Sequence, residues 1–348
     1  MKLIELSKKE FKAFADKHPQ ITFHQTEYWA NLKKKNNWDA IYLGLKDKDK
    51  MVAAALLLSK ELPIIKKKLF YSPRGFLIDY NDYSILKEFT DKLKPYIKSK
   101  GGIFVKIDPF VEYKEHDNNG NIVENGLDNT KIIENLKKLG YKHYGFNLMQ
   151  DTLQPRWMHV IETKDRSLDD VMKDMESKTR QILRKNERSA ITTREITRDE
   201  LPIFKDIMQH TSDRREFIDR PLSYYENMWD TLYEPGILKI LIAEIDFKQY
   251  EKNTEDELAE IKKELKDRIY KKENNILKMN DKKYEQSNKK DEDEIKRLEE
   301  QLVKIKEYRK TYNDKEILGG ILFLIYGNEV LSLYGGSDAK LMQFQSAY

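Results

Sequence analysis

Hydrophobic and polar positions follow two different periods along this 348-residue chain. Between residues 247 and 316 the apolar residues recur at steps of three and four, which is typical of helices that pack along a narrow seam. This segment has no glycine or proline, and the apolar runs that flank it, 237–245 and 317–326, are typical of buried strands. The pattern predicts a helical hairpin inserted into a sheet domain, with its turn in the polar run 279–293. The seam residues are Leu258, Ile261, Leu265, Ile269 and Ile276 on the first helix and Ile295, Leu298, Leu302 and Ile305 on the second.

The rest of the chain alternates between helical and strand periods in two similar halves. Its length exceeds the roughly 250–300 residues at which single cores stop growing. We therefore predict an α/β (α+β) fold with a first domain at 1–150, a second at 151–246 plus 317–348, and a helical coiled-coil arm at 247–316. Predicted strands lie at 38–45, 51–58, 103–107, 158–162, 237–245, 317–326 and 329–334. Predicted helices lie at 25–35, 83–100, 130–139, 167–187, 199–211 and 222–233, with a turn at 335–337 and the start of a helix at 339–348.

Composition narrows the class of protein. The chain has no cysteine, which excludes disulfides, thiolate catalysis and cysteine-bound zinc and fits a reducing cytoplasm. Charged residues interrupt the apolar ones at the N-terminus, so a secretory signal is not expected, and no apolar run is long enough for a membrane span. The net charge is only +4, so any anion-binding site is expected to be a local cluster.

Two segments of the first half suggest a polar site. Arg74 follows a proline and precedes a glycine between apolar runs, which suits presentation of a guanidinium to a phosphate or carboxylate, although a tight turn with a surface arginine gives the same pattern. Asp108 comes directly after the predicted strand 103–107, a common place for a catalytic or ligand-holding group in α/β folds. A turn-capping role for Asp108 is equally compatible with the sequence.

Basic residues form three further clusters. Lys33 begins a run of three lysines at the end of a predicted helix, where it is expected either to hold a diphosphate or to be solvated. Arg214 lies at a helix-to-loop junction that suits recognition of a large polar ligand, or that only complements the helix dipole. The densest cluster lies on the helix at 178–188 and predicts a surface for an RNA backbone. Its members are Arg180, Arg184, Lys185 and Arg188.

Together these segments resemble the Fem family of non-ribosomal peptidyltransferases of Gram-positive peptidoglycan, nearest its FemX and MurM side. The similar segments occur in order at 29–33, 71–79, 106–109, 139–145, 154–156, 211–214 and 334–336, and the hairpin lies where the family has its coiled-coil arm. The resemblance implies two GNAT-like domains and a cytoplasmic enzyme at the inner face of the membrane. It also implies transfer of glycine, alanine or serine from aminoacyl-tRNA to the stem-peptide amine of lipid II or its peptide-extended form.

The resemblance assigns roles to the candidate residues. It makes Asp108 the group that helps to deliver a deprotonated amine, and it assigns tRNA binding to the 178–188 helix and the arm. The residues that it assigns to the acceptor are Lys33, Arg74, Arg214 and Tyr334. An aminoacyl ester is already activated, so no cofactor or metal is expected, and the histidines lack the spacing of a metal site.

Two expectations concern the whole chain. Family members continue for several dozen residues beyond the position of Tyr348, so we expect a C-terminally truncated chain with an incomplete second domain. The alternative to an enzyme is a catalytically inactive scaffold that binds another Fem protein or a second copy of the chain. An acetyl-CoA-dependent enzyme is disfavoured because the pyrophosphate-binding loop of acetyltransferases is missing.

Overall fold

The computed structural model describes residues 1–146 and 154–345, and the chain divides into two compact units. The first unit contains Met1–Val160, Asn227–Leu238 and Leu324–Leu331, and the second contains Ile161–Glu226, Lys239–Phe323 and Ser332–Tyr348. The domain boundary predicted at residues 150 and 151 lies outside the described residues.

The first unit is built on a five-stranded sheet with strand order β1-β2-β3-β4-β5. The strands are β1 (Lys2–Glu5), β2 (Asp39–Asp47), β3 (Lys50–Leu62), β4 (Lys67–Ser72) and β5 (Gly102–Ile107). The helices in this part of the chain are α1 (Lys8–Ala15), α2 (Glu27–Lys34), α3 (Tyr83–Ser99) and α4 (Thr130–Lys138). Neighbouring strands are antiparallel except β4 and β5, which are parallel and are connected through α3. Since parallel neighbours end at the same edge of a sheet, the turn after β4 lies beside the turn after β5.

Apolar packing on both sides of β3 holds this sheet. Six consecutive residues of this strand are fully buried, which explains their uninterrupted apolar sequence; they are Ala53, Ala54, Ala55, Leu56, Leu57 and Leu58. Asp82 caps the start of helix α3, because its side chain accepts the Ile85 N–H, and α3 packs its apolar face on the sheet through Phe89 and Leu93. Burying each such side chain contributes about 1.5–3 kcal/mol. The sheet and α3 therefore form a firm base for the two turns.

A four-stranded sheet with strand order β6-β7-β8-β9 has most of its residues in the second unit. The strands are β6 (Ile191–Glu195), β7 (Leu238–Asp246), β8 (Lys315–Tyr326) and β9 (Glu329–Ser337). The helices that precede β7 are α5 (Leu168–Asp174), α6 (Ser177–Arg188), α7 (Leu201–Arg215) and α8 (Leu222–Leu232). A short 3₁₀ helix, Ala339–Phe344, follows β9.

The arm lies between β7 and β8 and consists of α9 (Phe247–Glu273) and α10 (Asp281–Thr311). At its root the Phe247 N–H donates to the Asp314 carbonyl over 2.8 Å. Leu298 and Ile305 are buried, whereas Ile276 near the tip is 59% exposed. Ion pairs of 2.6 Å also join the two helices and match their antiparallel register; they are Lys262–Glu299 and Arg268–Asp291. Apolar burial is thus concentrated toward the root, and charge pairing continues toward the tip.

The turn predicted at 279–293 is wrong in extent. Helix α10 already begins at Asp281, because the side chain of Asn280 caps it by accepting the Lys283 N–H over 2.8 Å. The polar residues that follow are helical on a largely solvated face, where their lysine and glutamate side chains have good helix propensity. The turn is therefore confined to 274–280.

Several other predicted elements need correction. The strand predicted at 158–162 has no regular structure, and the helix predicted at 167–187 is divided into α5 and α6 by the extended backbone at Met175. The turn predicted at 335–337 is the end of β9, and the helix predicted at 339–348 is a 3₁₀ helix as far as it is described, since 346–348 lie outside the described residues. Elements without a counterpart in the predictions are β1, α1, β4 and β6. All four are short and carry polar residues, so their periods are weak.

Candidate functional site

Asp108 and Arg74 meet at the shared edge of the parallel strands β4 and β5. Asp108 directly follows β5, and its Oδ1 accepts the backbone N–H of Arg74 over 2.6 Å. Its Oδ2 accepts the hydroxyl of Tyr71, which lies on β4, over 2.7 Å. Each carboxylate oxygen therefore has one fixed donor and keeps a second lone pair for another partner.

The turn that contains Arg74 has two consecutive residues with a positive φ. Arg74 has φ of 59° and Gly75 has φ of 81°, both in the left-handed region that disfavours most side chains. A Cβ added to Gly75 would lie 2.8 Å from the Cα of Pro109 and 2.4 Å from the hydroxyl of Tyr80. Glycine is therefore required at residue 75 for the turn to approach the end of β5.

A buried hydrogen-bond network underlies this turn. Gln25 is fully buried just before α2, and its amide nitrogen donates to the Pro73 carbonyl over 2.7 Å and to the Ser72 hydroxyl over 3.2 Å. Its amide oxygen accepts the Leu56 N–H of β3 over 2.9 Å. Gln25 thus connects the start of α2, the central strand and the Arg74 turn.

The Arg74 guanidinium lies over an aromatic ring and has mainly neutral partners. Its Cζ is 5.0 Å from the ring centroid of Phe110, and Nη1 donates to the Pro155 carbonyl over 3.3 Å. Glu329, the first residue of β9, also interacts with Arg74 electrostatically; burial raises the pKa of Glu329, and Arg74 opposes that rise. Arg74 is half-buried, so its charge is available to an anion at this edge of the sheet.

Lys33 lies on α2 in the same unit. Its Nζ lies 4.2 Å from the ring centroid of Trp29, in a cation–π contact. The neighbouring His24 is buried, and burial, together with the positive charges of Arg74 and Lys33, lowers the pKa of His24 to about 3. His24 is therefore neutral at physiological pH, and the cationic character of this region comes from Lys33 and Arg74.

The surroundings of Asp108 raise the pKa of its carboxyl, and this favours proton exchange near neutral pH. Burial raises the pKa of the Asp108 carboxyl, and this rise outweighs the opposing hydrogen bonds from Tyr71 and Arg74 and the charges of Arg74 and Lys106. A carboxylate with a raised pKa is a better proton acceptor near neutral pH than an ordinary aspartate. Burial and the neighbouring Asp108 in turn raise the pKa of Tyr71, so the phenol remains a hydrogen-bond donor.

In the second unit, Arg214 and Tyr334 have separate surroundings. Arg214 lies in the last turn of α7, its Nη1 donates to the Ser337 carbonyl over 3.4 Å, and its buried Nε has no hydrogen-bond partner in the part of the chain that the structure describes. Tyr334 on β9 hydrogen-bonds with Arg220 and Tyr224, and the Arg220 guanidinium lies 5.4 Å from the Tyr224 ring centroid. Arg220 and Tyr224 therefore complete a polar cluster around Tyr334.

The basic helix α6 does not present all of its predicted cations. Nη1 of Arg180 donates to the carbonyls of Met172, Lys173 and Met175, which caps the end of α5. Arg184 and Lys185 are exposed. Arg188 is also exposed, and its Nη1 lies 3.7 Å from a carboxylate oxygen of Glu257 at the root of the arm. The surface that remains available to an anion is therefore that of Arg184, Lys185 and Arg188.

Some polar groups of these clusters had no role in the sequence predictions. Tyr71 occurs inside a segment that resembles the Fem family and Gln25 starts the predicted helix 25–35, but no local period marks either residue, because their partners are distant along the chain. Across residues 1–146 and 154–345, no group of three histidine, aspartate or glutamate side chains is arranged to hold a metal ion. In the same residues, no helix is both long and apolar enough to cross a bilayer.

Two sheets, an inserted helical arm and a polar cluster at the ends of parallel strands define a two-unit α/β protein. The FemAB family model matches residues 6–348, and the chain belongs to this family. The aminoacyltransferase FemA of Staphylococcus epidermidis is 29% identical over 354 residues, which cover 100% of this chain and 82% of that protein. FemA of Staphylococcus aureus is 32% identical over 267 residues, which cover 76% of this chain and 63% of that protein.

A solved structure agrees with this membership. The crystal structure of FemX superimposes with a TM-score of 0.76 at 27% identity, and the match covers 100% of this chain and 83% of the FemX chain. The predicted family and the predicted α/β fold class are therefore confirmed. The finer placement beside FemX and MurM stays a prediction.

Proposed function

We propose that this chain transfers glycine, alanine or serine from aminoacyl-tRNA to the stem-peptide amine of lipid II, or of its peptide-extended form, during interpeptide-bridge synthesis. Family membership and the relatives named aminoacyltransferases support transferase activity. The observation that carries the proposal is the Asp108 carboxylate, held by Tyr71 and Arg74 where two parallel strands end. Because lipid II is anchored in the bilayer, the enzyme is proposed to work at the inner face of the membrane.

The proposed chemistry is aminolysis of an ester. The free amine attacks the ester carbonyl, a C–N bond forms, the C–O bond to the tRNA ribose breaks, and one proton passes from the nitrogen to the departing oxygen. A stem-peptide lysine has a pKa of about 10.4, so only about one molecule in a thousand is free base at neutral pH. Asp108 is proposed to accept the amine proton and to return it to the leaving oxygen, which its raised pKa favours.

Cations are proposed to bind the acceptor's diphosphate. In the first unit this cation is Lys33, and Arg74 is proposed to bind another part of the acceptor; the charges of both act on the buried His24. In the second unit Arg214 and Tyr334 keep their proposed substrate-binding role, and the orphaned Nε of Arg214 supports it because a buried N–H without a partner favours an added acceptor.

The exposed cations of α6 are proposed to bind the tRNA backbone. Arg184, Lys185 and Arg188 are the proposed contacts, whereas Arg180 serves mainly to cap α5. Each lost phosphate contact should reduce the slope of log affinity against log salt by roughly 0.7–0.9. Arg184→Gln and Lys185→Gln should each weaken tRNA binding in this way, with Lys98→Gln on α3 as an exposed control. Equal salt slopes for all three variants would remove the proposed tRNA surface.

Activity is tested with purified protein, aminoacyl-tRNA charged with glycine, alanine or serine, and a soluble lipid II analogue. Mass spectrometry should detect one added residue on the stem peptide for one of the three donors. Asp108→Asn should reduce kcat by about 100-fold or more, as loss of general-base catalysis does. Absence of product with every donor would refute the proposed function.

A second candidate is a scaffold that binds a partner through the arm. Three apolar side chains are largely exposed on the arm, and this observation favours the scaffold; they are Tyr270, Ile276 and Val303. Sedimentation of the protein alone, and with another Fem protein, tests it. Association without turnover would favour the scaffold over the enzyme.

A further inference from the structure

The hydroxyl of Tyr71 donates to the reacting carboxylate of the proposed function and also hydrogen-bonds with Gln154. We propose that Tyr71 is a positioning residue that holds Asp108 in the orientation and ionisation state required to accept the amine proton. This inference rests on the proposed function. It goes further because it assigns a role in the reaction to a side chain that contacts neither substrate.

Tyr71 is well placed for a fixed contact. It lies on β4 paired with Lys106 of β5, two residues before Asp108, and only 6% of its surface is exposed. The phenol reaches Oδ2 of Asp108 over 2.7 Å from a strand that is hydrogen-bonded on both sides. A donor held by a buried ring on an interior strand loses little entropy when it makes this bond.

Tyr71 donates to one carboxylate oxygen of Asp108, and the Arg74 N–H donates to the other. The terminal torsion of an aspartate is broad, so a carboxylate with one fixed donor can rotate. With donors on both oxygens, the plane of the Asp108 carboxylate is set, and one lone pair on each oxygen remains for the amine. Loss of the Tyr71 hydroxyl would leave Oδ2 without its internal donor in a largely desolvated place.

The charged and titratable groups around Asp108 determine whether loss of the Tyr71 hydroxyl raises or lowers the pKa of Asp108. Arg74 and Lys106 are the cations that act on Asp108, and Tyr71 and Tyr80 are the phenols that interact with it. Burial raises the pKa of Asp108, whereas the Tyr71 hydrogen bond lowers it. Removal of the hydroxyl therefore raises this pKa further. Since only ionised Asp108 accepts a proton, activity disappears as pH falls through its pKa, and the acid limb of the rate profile should move to higher pH.

The test compares kcat as a function of pH for wild type, Tyr71→Phe and Tyr42→Phe. Tyr42 is an equally buried tyrosine of the same sheet, and its hydroxyl has no hydrogen-bond partner among the described residues, so it is a matched control. Tyr71→Phe should move the acid limb to higher pH and reduce kcat at the acid end about tenfold, with KM for aminoacyl-tRNA unchanged. Tyr42→Phe should retain the wild-type profile. A Tyr71→Phe profile that superimposes on wild type would overturn the proposal.

Two further variants distinguish failure of the proposed role of Tyr71 from failure of the proposed function. Incorporation of 3-fluorotyrosine at residue 71 keeps the shape and makes the phenol a stronger donor, so the limb should move to lower pH; an unmoved limb counts against the proposal even if Tyr71→Phe does not fold. Asp108→Asn tests the proposed function itself. Wild-type kcat for Asp108→Asn would reject the role of Asp108, whereas a loss with an unshifted Tyr71→Phe profile would reject only the role of Tyr71.

Discussion

Substitution of Gly75 by alanine tests how closely the two turns of the candidate site approach each other. The new Cβ would lie 2.8 Å from the Cα of Pro109, a backbone atom that cannot move alone, and 2.4 Å from the hydroxyl of Tyr80. At φ of 81° an alanine also costs roughly 1–2 kcal/mol from backbone sterics. Overpacking typically adds about 1–3 kcal/mol. The expected loss of unfolding free energy is therefore about 2–5 kcal/mol.

Gly101→Ala is the matched control for this prediction. Gly101 has nearly the same φ, 80°, but a Cβ there meets no atom within 4 Å, so only the backbone cost of roughly 1–2 kcal/mol applies. At about 2–4 °C per kcal/mol, Gly75→Ala should lower Tm by roughly 4–20 °C and Gly101→Ala by roughly 2–8 °C. Differential scanning calorimetry and urea titration measure both. Equal losses for the two variants would show that the close approach to Pro109 does not constrain the turn.

Three further predictions concern buried polar groups of the first unit. Gln25→Met keeps the shape but leaves the Leu56 N–H and the Pro73 carbonyl unpaired, so urea titration should show a loss of about 2–4 kcal/mol. Tyr42→Phe removes a buried hydroxyl without a partner among residues 1–146 and 154–345, so the unfolding free energy should rise by up to about 1 kcal/mol, and a loss would contradict this. The folded pKa of His24, about 3, lies below its unfolded value of about 6.5, so the unfolded state binds more protons between these pH values. The contribution of His24 to the unfolding free energy is therefore complete above pH 6.5 and falls by up to about 2–3 kcal/mol by pH 4.5. Urea titrations of His24→Leu should lack this part of the acid destabilisation.

The sequence predicts the individual strands of the candidate site better than it predicts which of them pair. Asp108 was predicted at the end of a strand, and that strand, β5, is present. Its parallel partner β4 was not predicted, because it is short and begins with two lysines. The contact of Asp108 with Tyr71 and Arg74 depends on this pairing, which joins residues more than thirty positions apart. A local period contains no information about such a pairing.

Helix α6 is a second example of what a local sequence period does not predict. A regular helical period places Arg180, Arg184 and Arg188 on one face, and the predicted helix is present in that region. The break at Met175 turns the end of α5 toward Arg180, and three carbonyls then bind its guanidinium. Periodicity gives the face of a side chain, but its partner depends on where the preceding element ends.

The polar groups of the first unit form one connected path to the reacting carboxylate. Gln25 fixes Ser72 and Pro73, the turn that follows them fixes the Arg74 N–H, and that N–H fixes Oδ1 of Asp108. The Gln25 bonds are buried and the bond from Arg74 to Asp108 is partly buried, so their loss costs more than that of a surface bond. Apolar packing determines that the sheet forms, whereas this polar path determines where the carboxylate points. Substitutions along the path should therefore change the geometry of the site before they unfold the sheet, and large-to-small changes beneath α3 should do the reverse.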